Sequence, residues 1–193
     1  MIDVGRLPHR VLRAGTKLYR IHRRAHGAWY FDGSGAGRFD PSGTPGRGAC
    51  YWAEDPLGAW VEVFRTRMIL TQDDIEARRL SVLTLNDGLR ISDLTSRQAL
   101  AAGVTTALTS GADYGPAHEL ADAVQGIEAG LCWRLRHDLE QQLIGIALFG
   151  DEGVPRRSAR RLLPRSRSTA IPTKLVDEAR HVFGYEVLTT PLP

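Results

Sequence analysis

The apolar segments of this chain are short, and glycine, proline and charged residues interrupt them at close intervals. Such segments suit brief strands and helices and are far too short for a membrane-spanning helix, which needs about 20 apolar residues. Strand-like and helix-like patterns follow one another without the regular alternation that builds a parallel α/β sheet. We therefore predict one α+β domain, for which 193 residues provide a substantial core.

Period-two alternation and aromatic or β-branched residues indicate the strands, whereas capping residues and helical periodicity indicate the helices. Strands are predicted over 17–23, 49–53, 80–85, 89–94, 129–135, 143–150 and 185–190. Helices are predicted over 56–64, 96–103, 115–126 and 172–184. The predicted organisation is an irregular N-terminal arm over 1–15, a core over 16–150, and a segment 151–193 whose last helix and strand pack on the same domain.

A long glycine-rich segment separates the first predicted strand from the second. Residues 32–48, DGSGAGRFDPSGTPGRG, contain six glycines and two prolines, which exclude a regular element. Loops of this length inside a compact domain are usually functional or disordered. Gly33, Gly35 and Gly37 could let the backbone approach a phosphate, but the helix that completes a dinucleotide-binding fingerprint does not follow. A flexible surface loop and a phosphate-binding loop therefore both stay open.

The stretch 49–64, ACYWAEDPLGAWVEVF, predicts a strand that runs directly into a helix with one buried face. Asp55 is a good N-cap and Pro56 suits the first helical position. Glu62 lies beside this buried face, about 100° round the helix from Val61. Burial of an unpaired carboxylate is costly, so Glu62 either leans over the edge of a cleft or lies at a solvated boundary.

Two arginines stand where recognition of an anion is plausible, because a guanidinium group binds phosphate or carboxylate through paired hydrogen bonds. Arg20 lies on a strand predicted to be central, and Arg38 lies at the exit of the glycine-rich loop. Other arginines are interpreted as surface charges. These are Arg23, Arg24, Arg65 and Arg67.

The net charge of +3 is too small to indicate nucleic acid binding, but the charge is unevenly distributed. Residues 156–167 contain six arginines, which leaves the rest of the chain about three charges negative. We predict that this segment contacts a partner or the acidic surface of its own domain. Clustered arginines can also bind phosphates without sequence preference, so nucleic acid binding is an alternative, although no recognition motif accompanies it.

The cysteines and histidines give no metal prediction. Cys50 and Cys132 form neither a metal-binding spacing nor a disulfide framework, so a cytoplasmic location is expected. His22 and His26 are four residues apart, but on a strand end and a loop, where that spacing does not bring them together. Two further histidines stand alone in the sequence. These are His118 and His137.

Four motifs in this order resemble the RES domain family, named for an arginine, a glutamate and a serine. They are LYRIHR, GAGRFDP, ACYWAED and WVEVF, spread over positions 18–64. A weaker similarity follows in GADYGPAHELADAV and GLCWRLRHD and ends near residue 150.

The resemblance implies a split, mixed β-sheet flanked by helices, similar to the fold of ADP-ribosyltransferase toxins. It implies an enzyme that takes NAD as its substrate rather than as a cofactor. Such an enzyme releases nicotinamide and passes the ADP-ribosyl part to phosphate, water or a protein. It also implies a bacterial toxin held inactive by an antitoxin with a helix-turn-helix domain, so that nucleic acid is contacted only through the antitoxin. Whether the chain forms a homo-oligomer stays open.

Residue by residue, the resemblance assigns the site to four positions. Glu62 and Arg20 match the catalytic glutamate and arginine of the family, and Arg20 also belongs to the NAD-binding set. Arg38 matches a second arginine of that pocket, and Tyr51 matches an aromatic residue that lines it. Glu62 would then face the nicotinamide ribose.

The chain departs from the family at the third named residue. The family pattern near the sixth strand resembles G-x-x-W-x-S-R, whereas this chain reads GLCWRLR, with Leu135 where serine is expected. Leucine donates no hydrogen bond, so Cys132 or a serine elsewhere would have to replace that donor. The alternative is therefore a RES-like protein that binds a nucleotide or a partner without catalytic turnover.

Overall fold

The computed structural model of the chain describes residues 2–160 and 163–189. Within this part, the strands are β1 (His9–Leu12), β2 (Lys17–Arg23), β3 (Arg47–Ala53), β4 (Ile69–Thr71), β5 (Arg78–Thr84), β6 (Leu89–Asp93), β7 (Gly130–Arg134), β8 (Ile144–Asp151), β9 (Ser166–Thr169) and β10 (Glu186–Leu188). The helices are α1 (Pro56–Phe64), α2 (Gln72–Glu76), α3 (Thr106–Ser110), α4 (Gly115–Val124), α5 (Arg157–Arg160) and α6 (Thr173–Phe183). Short 3₁₀ helices cover Val4–Arg6 and Arg97–Ala102.

A mixed sheet forms the centre of the domain. Its strand order over the described residues is β1-β6-β7-β8-β3-β2-β5-β9, and a small separate sheet pairs β4 with β10. In the large sheet β6 and β7 run parallel, whereas its other neighbouring strands are antiparallel. The predicted α+β class with a mixed sheet flanked by helices is confirmed.

The sheet is split between β2 and β3. These two strands share a single pair of facing residues, Tyr19 and Ala53, whereas β2 pairs with β5 along its full length. The chain segment 28–32 lies beside the split, because Asp32 forms a β-bridge with Ala49 and both of its main-chain groups bond to that residue. Backbone groups that a neighbouring strand would have satisfied are thus partly satisfied by this segment.

Helix α1 covers the split on one face of the sheet. Asp55 caps its N-terminus by accepting a hydrogen bond from the Leu57 N–H (2.7 Å), and Pro56 occupies its first turn, as predicted from the sequence. Trp60 and Phe64 bury the helix against α6 and the β2 side of the sheet, while Val61 faces the core beside β7 and β8. Glu62 is thereby fixed above the line where the two halves of the sheet meet.

The N-terminal segment differs from its predicted conformation, and two predicted strands that are close in sequence lie far apart in the sheet. The N-terminal segment 1–15, expected to be irregular, contains the edge strand β1, which pairs with β6. The strands predicted over 80–85 and 89–94 both form, but they lie far apart in the sheet. β5 pairs with β2 and β9, whereas β6 pairs with β1 and β7, so the turn between them does not make a hairpin.

The arginine-rich segment 156–167 includes α5 and the start of β9, which pairs with β5 at the edge of the sheet. Arg161 and Leu162 lie outside the described residues, as do residues 190–193 at the end of the last predicted strand. Over the described ranges, none of the helices is long and apolar enough to cross a membrane.

Candidate functional site

Two small cavities adjoin beneath α1 at the split in the sheet, with volumes of about 70 and 190 Å³. The first is lined by Gly37, Arg38, Tyr51, Glu62, Arg65, Thr109, Tyr114, Trp133, Arg136 and His137. The second is lined by Tyr19, Arg20, Ile21, Tyr51, Trp52, Ala59, Glu62, Val63 and Arg65. All four site residues predicted from the sequence border one or both of these cavities.

Glu62 lies where the two cavities meet and is half-buried. Within the part of the chain that the structure describes, its carboxylate accepts no hydrogen bond and forms no close ion pair. Burial raises the pKa of Glu62 above its usual value, and the positive charges of Arg65, Arg136 and Arg38 oppose this shift. The site therefore holds a carboxylate that is attracted by cations but contacts none of them directly.

Arg38 is anchored by the C-terminal end of another helix. Its Nη1 donates to the Leu108 carbonyl (3.1 Å) and its Nη2 to the Gly111 carbonyl (2.7 Å), at the C-terminal end of α3. The guanidinium carbon also lies 4.3 Å from the ring centroid of Tyr114, a cation–π arrangement. These contacts fix the buried guanidinium group in the wall of the first cavity.

Tyr51, which lines both cavities, is hydrogen-bonded to the buried Asp40. The Tyr51 hydroxyl donates to Asp40 Oδ1 (2.7 Å) and accepts from the Phe39 N–H (2.9 Å). Burial raises the pKa of Tyr51 well above its usual value, and the negative charge of Asp40 adds to this shift. The Tyr51 hydroxyl is therefore neutral at physiological pH and is held in one orientation.

The glycine-rich loop is folded against the domain rather than extended into solvent. The Asp40 carboxylate accepts from the Gly37 N–H (2.8 Å), and Asp122 of α4 accepts from the Gly43 N–H (2.9 Å) and the Thr44 hydroxyl (2.7 Å). A side chain at position 37 would collide with the Tyr51 hydroxyl and the Asp40 carboxylate, which accounts for the glycine there. The loop thus supplies Gly37 and Arg38 to the cavity wall.

Arg20 differs from the other three predicted site residues in the direction of its side chain. Its Nη1 donates to the carbonyls of Ala28 (2.9 Å) and Tyr30 (3.3 Å) and contacts the Cys50 Sγ. Because successive residues of a strand point to opposite faces, Cys50 and Tyr51 lie on opposite faces of β3. Arg20 therefore reaches across the split on the face away from Glu62, while its Nε and Nη2 donate to none of the described residues.

Leu135 occupies the apolar core and borders neither cavity. It is fully buried, and a Cβ atom at Gly58 of α1 would lie 3.3 Å from one of its methyl groups. Cys132 cannot replace the missing donor, because its thiol lies on the opposite face of the sheet and donates to Asp93 (3.4 Å). Among the described residues that line the first cavity, Thr109 provides the one aliphatic hydroxyl group, in place of the expected serine.

Three further polar side chains of the site were not identified from the sequence. Arg65, interpreted there as a surface charge, lines both cavities, and Arg136 and His137 line the first. The Arg136 Nε donates to His137 Nε2 (3.1 Å). Burial and the neighbouring arginines lower the pKa of His137, so this ring is neutral at physiological pH. Arg136 and His137 lie in the GLCWRLRHD motif together with Trp133, which lines the same cavity, so this motif was the sequence feature that could have indicated them.

An apolar groove continues outward from the first cavity. Its volume is about 670 Å³, and Arg65, Arg136 and His137 form the boundary that the two spaces share. Its apolar wall includes Leu139, which is 95% exposed, and Val182. Over residues 2–160 and 163–189, histidine, cysteine, aspartate and glutamate side chains form no group that could hold a metal ion.

Comparison with known proteins identifies the fold and the family of the chain. A chain from the crystal structure of the M. tuberculosis MbcT–MbcA toxin–antitoxin complex matches with a TM-score of 0.65 at 20% sequence identity. The match covers 89% of this chain and 92% of that one, and it shows a shared fold. No curated protein sequence matches the chain. The sequence profile of the RES domain matches residues 17–164, about three quarters of the chain. The chain therefore belongs to the RES domain family, as its motifs predicted.

Proposed function

We propose that the chain cleaves the bond between nicotinamide and ribose in NAD. The observation that carries this proposal is Glu62, a half-buried carboxylate without a hydrogen-bond partner among the described residues, at the junction of two cavities. Such a group is poorly explained by stability, since its burial is unfavourable. It suits a reaction in which positive charge develops beside it.

Cleavage of NAD develops positive charge on the nicotinamide ribose as the bond from its anomeric carbon to the pyridinium nitrogen breaks. The bonding electron pair leaves with the nitrogen, so nicotinamide departs neutral. A carboxylate close to the resulting oxocarbenium-like carbon stabilises it, as in glycoside hydrolysis. Attack of water, phosphate or a protein nucleophile then forms the new bond at that carbon and releases a proton.

The surroundings of Glu62 suit the remaining groups of this substrate. Arg38, Arg65 and Arg136 outnumber the single carboxylate in the first cavity, so the cavity favours an anion such as the pyrophosphate. The rings of Tyr51, Tyr114 and Trp133 offer apolar surfaces for a base or a nicotinamide ring. Volumes of about 70 and 190 Å³ suit single groups, so the adenosine end would lie on the outer surface.

We further propose that the chain is the toxin of a toxin–antitoxin pair in the cytoplasm. The support is family membership together with the fold shared with a chain from a toxin–antitoxin complex. As the family resemblance implies, the antitoxin would carry a helix-turn-helix domain and provide the contact with nucleic acid. NAD is then the consumed substrate, and no separate cofactor is required.

The direct test is incubation of the purified chain with NAD, with and without phosphate, followed by chromatography for free nicotinamide. Wild-type protein should release nicotinamide, and the product should reveal whether water or phosphate accepts the ADP-ribosyl group. Glu62→Gln keeps the side-chain shape but removes its charge, so the rate should fall on the order of 10²–10³-fold while NAD binding persists.

Glu119→Gln is the matched control, because Glu119 is an exposed glutamate on α4 and borders neither cavity. Its rate of nicotinamide release should equal that of wild type. Equal rates in wild type and Glu62→Gln would contradict the role of Glu62 while leaving NAD cleavage intact.

A second candidate function is binding of a nucleotide or a partner without turnover. Two observations favour it: Leu135 provides no hydrogen-bond donor, and the Arg20 Nη1 is already occupied by backbone carbonyls. Under this alternative, chromatography detects no nicotinamide from wild type or either variant. Calorimetry then detects NAD binding if the ligand is a nucleotide and none if it is only a partner protein.

A further inference from the structure

Arg65 has a backbone conformation that residues other than glycine rarely adopt. Its φ and ψ angles are 49° and −122°, directly after the end of α1. The Arg67 N–H donates to the Phe64 carbonyl (3.0 Å) and closes a β-turn with Arg65 at its second position. These angles correspond to a type II′ turn, in which that position is normally glycine.

The strained turn is held by contacts from three directions. The Arg65 N–H donates to the Val61 carbonyl (2.9 Å), and the Arg65 carbonyl accepts from the Tyr185 hydroxyl. The Arg65 Nε donates to the Glu62 carbonyl (3.2 Å). Strain of this kind persists where the surrounding structure over-determines it, and it concentrates at functional sites.

The position of Arg65 differs from that of the other arginines of the site. Arg38 and Arg136 line the first cavity and Arg20 lines the second, whereas Arg65 lines both. Two linked phosphates that extend from one cavity into the other would therefore pass this guanidinium group. A glycine would satisfy the turn but could not provide a charge at the junction.

We propose that Arg65 is a substrate-binding residue whose strained turn positions its guanidinium group for the pyrophosphate of a dinucleotide. This proposal deepens and rests on the proposed function, because it concerns the same cavities. Arg65 distinguishes ligands that carry two linked phosphates from ligands that carry one. The backbone strain is retained because the turn must present a charged side chain.

The test is Arg65→Gly, measured by calorimetric titration with ADP-ribose, which carries the pyrophosphate and requires no turnover. The variant should bind ADP-ribose about 10- to 100-fold more weakly than wild type, as expected for loss of a charge-assisted contact. AMP, which carries a single phosphate, should lose less than about threefold by the same reasoning. Relief of strain should also raise the melting temperature by about 2–4 °C.

Gln141→Gly provides the matched control. Gln141 also has a positive φ (56°) and borders neither cavity, so its replacement by glycine relieves a positive φ without removing a site charge. This variant should bind ADP-ribose as wild type does. Arg65→Lys retains the charge and should restore part of the affinity that Arg65→Gly loses.

Equal losses for ADP-ribose and AMP in Arg65→Gly would overturn the selectivity, because they would indicate general attraction of anions. Wild-type affinity for ADP-ribose in Arg65→Gly, or no binding by the wild type, would overturn the proposal itself. If wild type binds ADP-ribose with the expected loss in Arg65→Gly but releases no nicotinamide from NAD, Arg65 keeps its role and the proposed cleavage fails.

Discussion

Two polar clusters lie on opposite faces of the sheet, and each contains groups that enzymes use. On one face, His22 Nε2 lies 2.7 Å from Ser81 Oγ, and Ser81 also shares a hydrogen bond with Ser168. On the other face, Glu62 has no hydrogen-bond partner among the described residues, yet it borders two cavities. By hydrogen-bond distance alone, the serine–histidine pair would be the stronger candidate for a catalytic site.

Accessibility and unmet bonding capacity reverse that ranking. Ser81 is 0% exposed and His22 is 7% exposed, and their hydrogen-bond partners lie in β2, β5 and β9. This cluster links β2, β5 and β9, so its hydrogen bonds stabilise the sheet. Glu62 offers an unused acceptor to any molecule in the cavities. A buried polar group with complete hydrogen bonding thus indicates structure, whereas an incompletely bonded group beside a cavity indicates function.

Leu135→Ser gives the largest expected effect on stability, because it places a hydroxyl group in the apolar core on the side of the sheet that also carries Glu62. We expect the free energy of unfolding to fall by about 3–5 kcal/mol, since a buried leucine is truncated and the new hydroxyl lacks a partner. Urea denaturation measures this loss. Leu139→Ser, at a leucine that is 95% exposed, should change it by less than about 0.5 kcal/mol. A stable Leu135→Ser variant would show that position 135 opens to the site.

Arg38→Ala should weaken NAD binding by about 1.5–3 kcal/mol with little change in overall structure. The reason is loss of a fixed guanidinium group from the wall of the first cavity. Calorimetric titration tests this, with Arg97→Ala as the control, because Arg97 is exposed and borders neither cavity. Unchanged NAD affinity in Arg38→Ala would contradict the assignment of the first cavity.

Arg20→Ala should affect both stability and binding, because the Arg20 side chain bonds to backbone carbonyls on one face of the sheet and also lines the second cavity, which Glu62 borders. The carbonyls of Ala28 and Tyr30 lose their donor, so the free energy of unfolding should fall by about 1–3 kcal/mol. NAD binding should weaken as well, because Nε and Nη2, which donate to none of the described residues, are proposed to serve the substrate. Thermal denaturation and calorimetry on the same samples separate these effects, and a loss of stability without loss of binding would restrict Arg20 to a structural role.

Ser81→Ala should reduce stability by about 1–2 kcal/mol, because His22 and Ser168 lose their shared partner. The rate of nicotinamide release should stay at the wild-type level. Urea denaturation and chromatography for nicotinamide measure the two quantities. A large loss of rate in a folded Ser81→Ala variant would mean that the buried cluster takes part in catalysis.

The smallest expected effect is the dependence of stability on pH. Burial raises the pKa of Glu62, so the native state keeps this proton at a pH where the unfolded chain has released it. The free energy of unfolding therefore falls as pH rises from the ordinary glutamate range through the raised pKa, and the deficit persists above it. Glu62→Gln should be the more stable protein above that window and equal to wild type below it. Denaturation curves at several pH values measure the free energy of unfolding of both proteins. A difference between the two proteins that stays constant across this pH range would contradict the raised pKa of Glu62.

Local sequence signals predicted much of the fold. The Asp55–Pro56 start of α1 depends on residues that are adjacent in the chain, and such capping can be identified without tertiary information. The N-terminal strand β1 could not be found in this way, because its pairing partner β6 lies about 80 residues away. The separation of β5 from β6 also depends on long-range pairing that their short connecting turn does not reveal.

The site residues proposed from the sequence came from family motifs, and their functional roles stay predictions. Glu62, Arg38 and Tyr51, taken from three separate motifs, border the same cavity in the structure. Arg65 was missed because a charged residue after a helix resembles any surface arginine, and its positive φ is visible only in three dimensions. The direction of the Arg20 guanidinium group was equally hidden, because it depends on where residues 28–30 pass beside the split.

The split between β2 and β3 has a consequence for how the native state opens. Among the described residues, β2 and β3 pair only at Tyr19–Ala53, so few amide hydrogens are protected by bonds across that boundary. We expect native-state hydrogen exchange to divide the sheet into two cooperative units, with the β2–β5–β9 unit exchanging separately from the β3–β8–β7 unit. A ligand that spans both cavities would connect the two units, and the slowest amides of both would then exchange at one common rate.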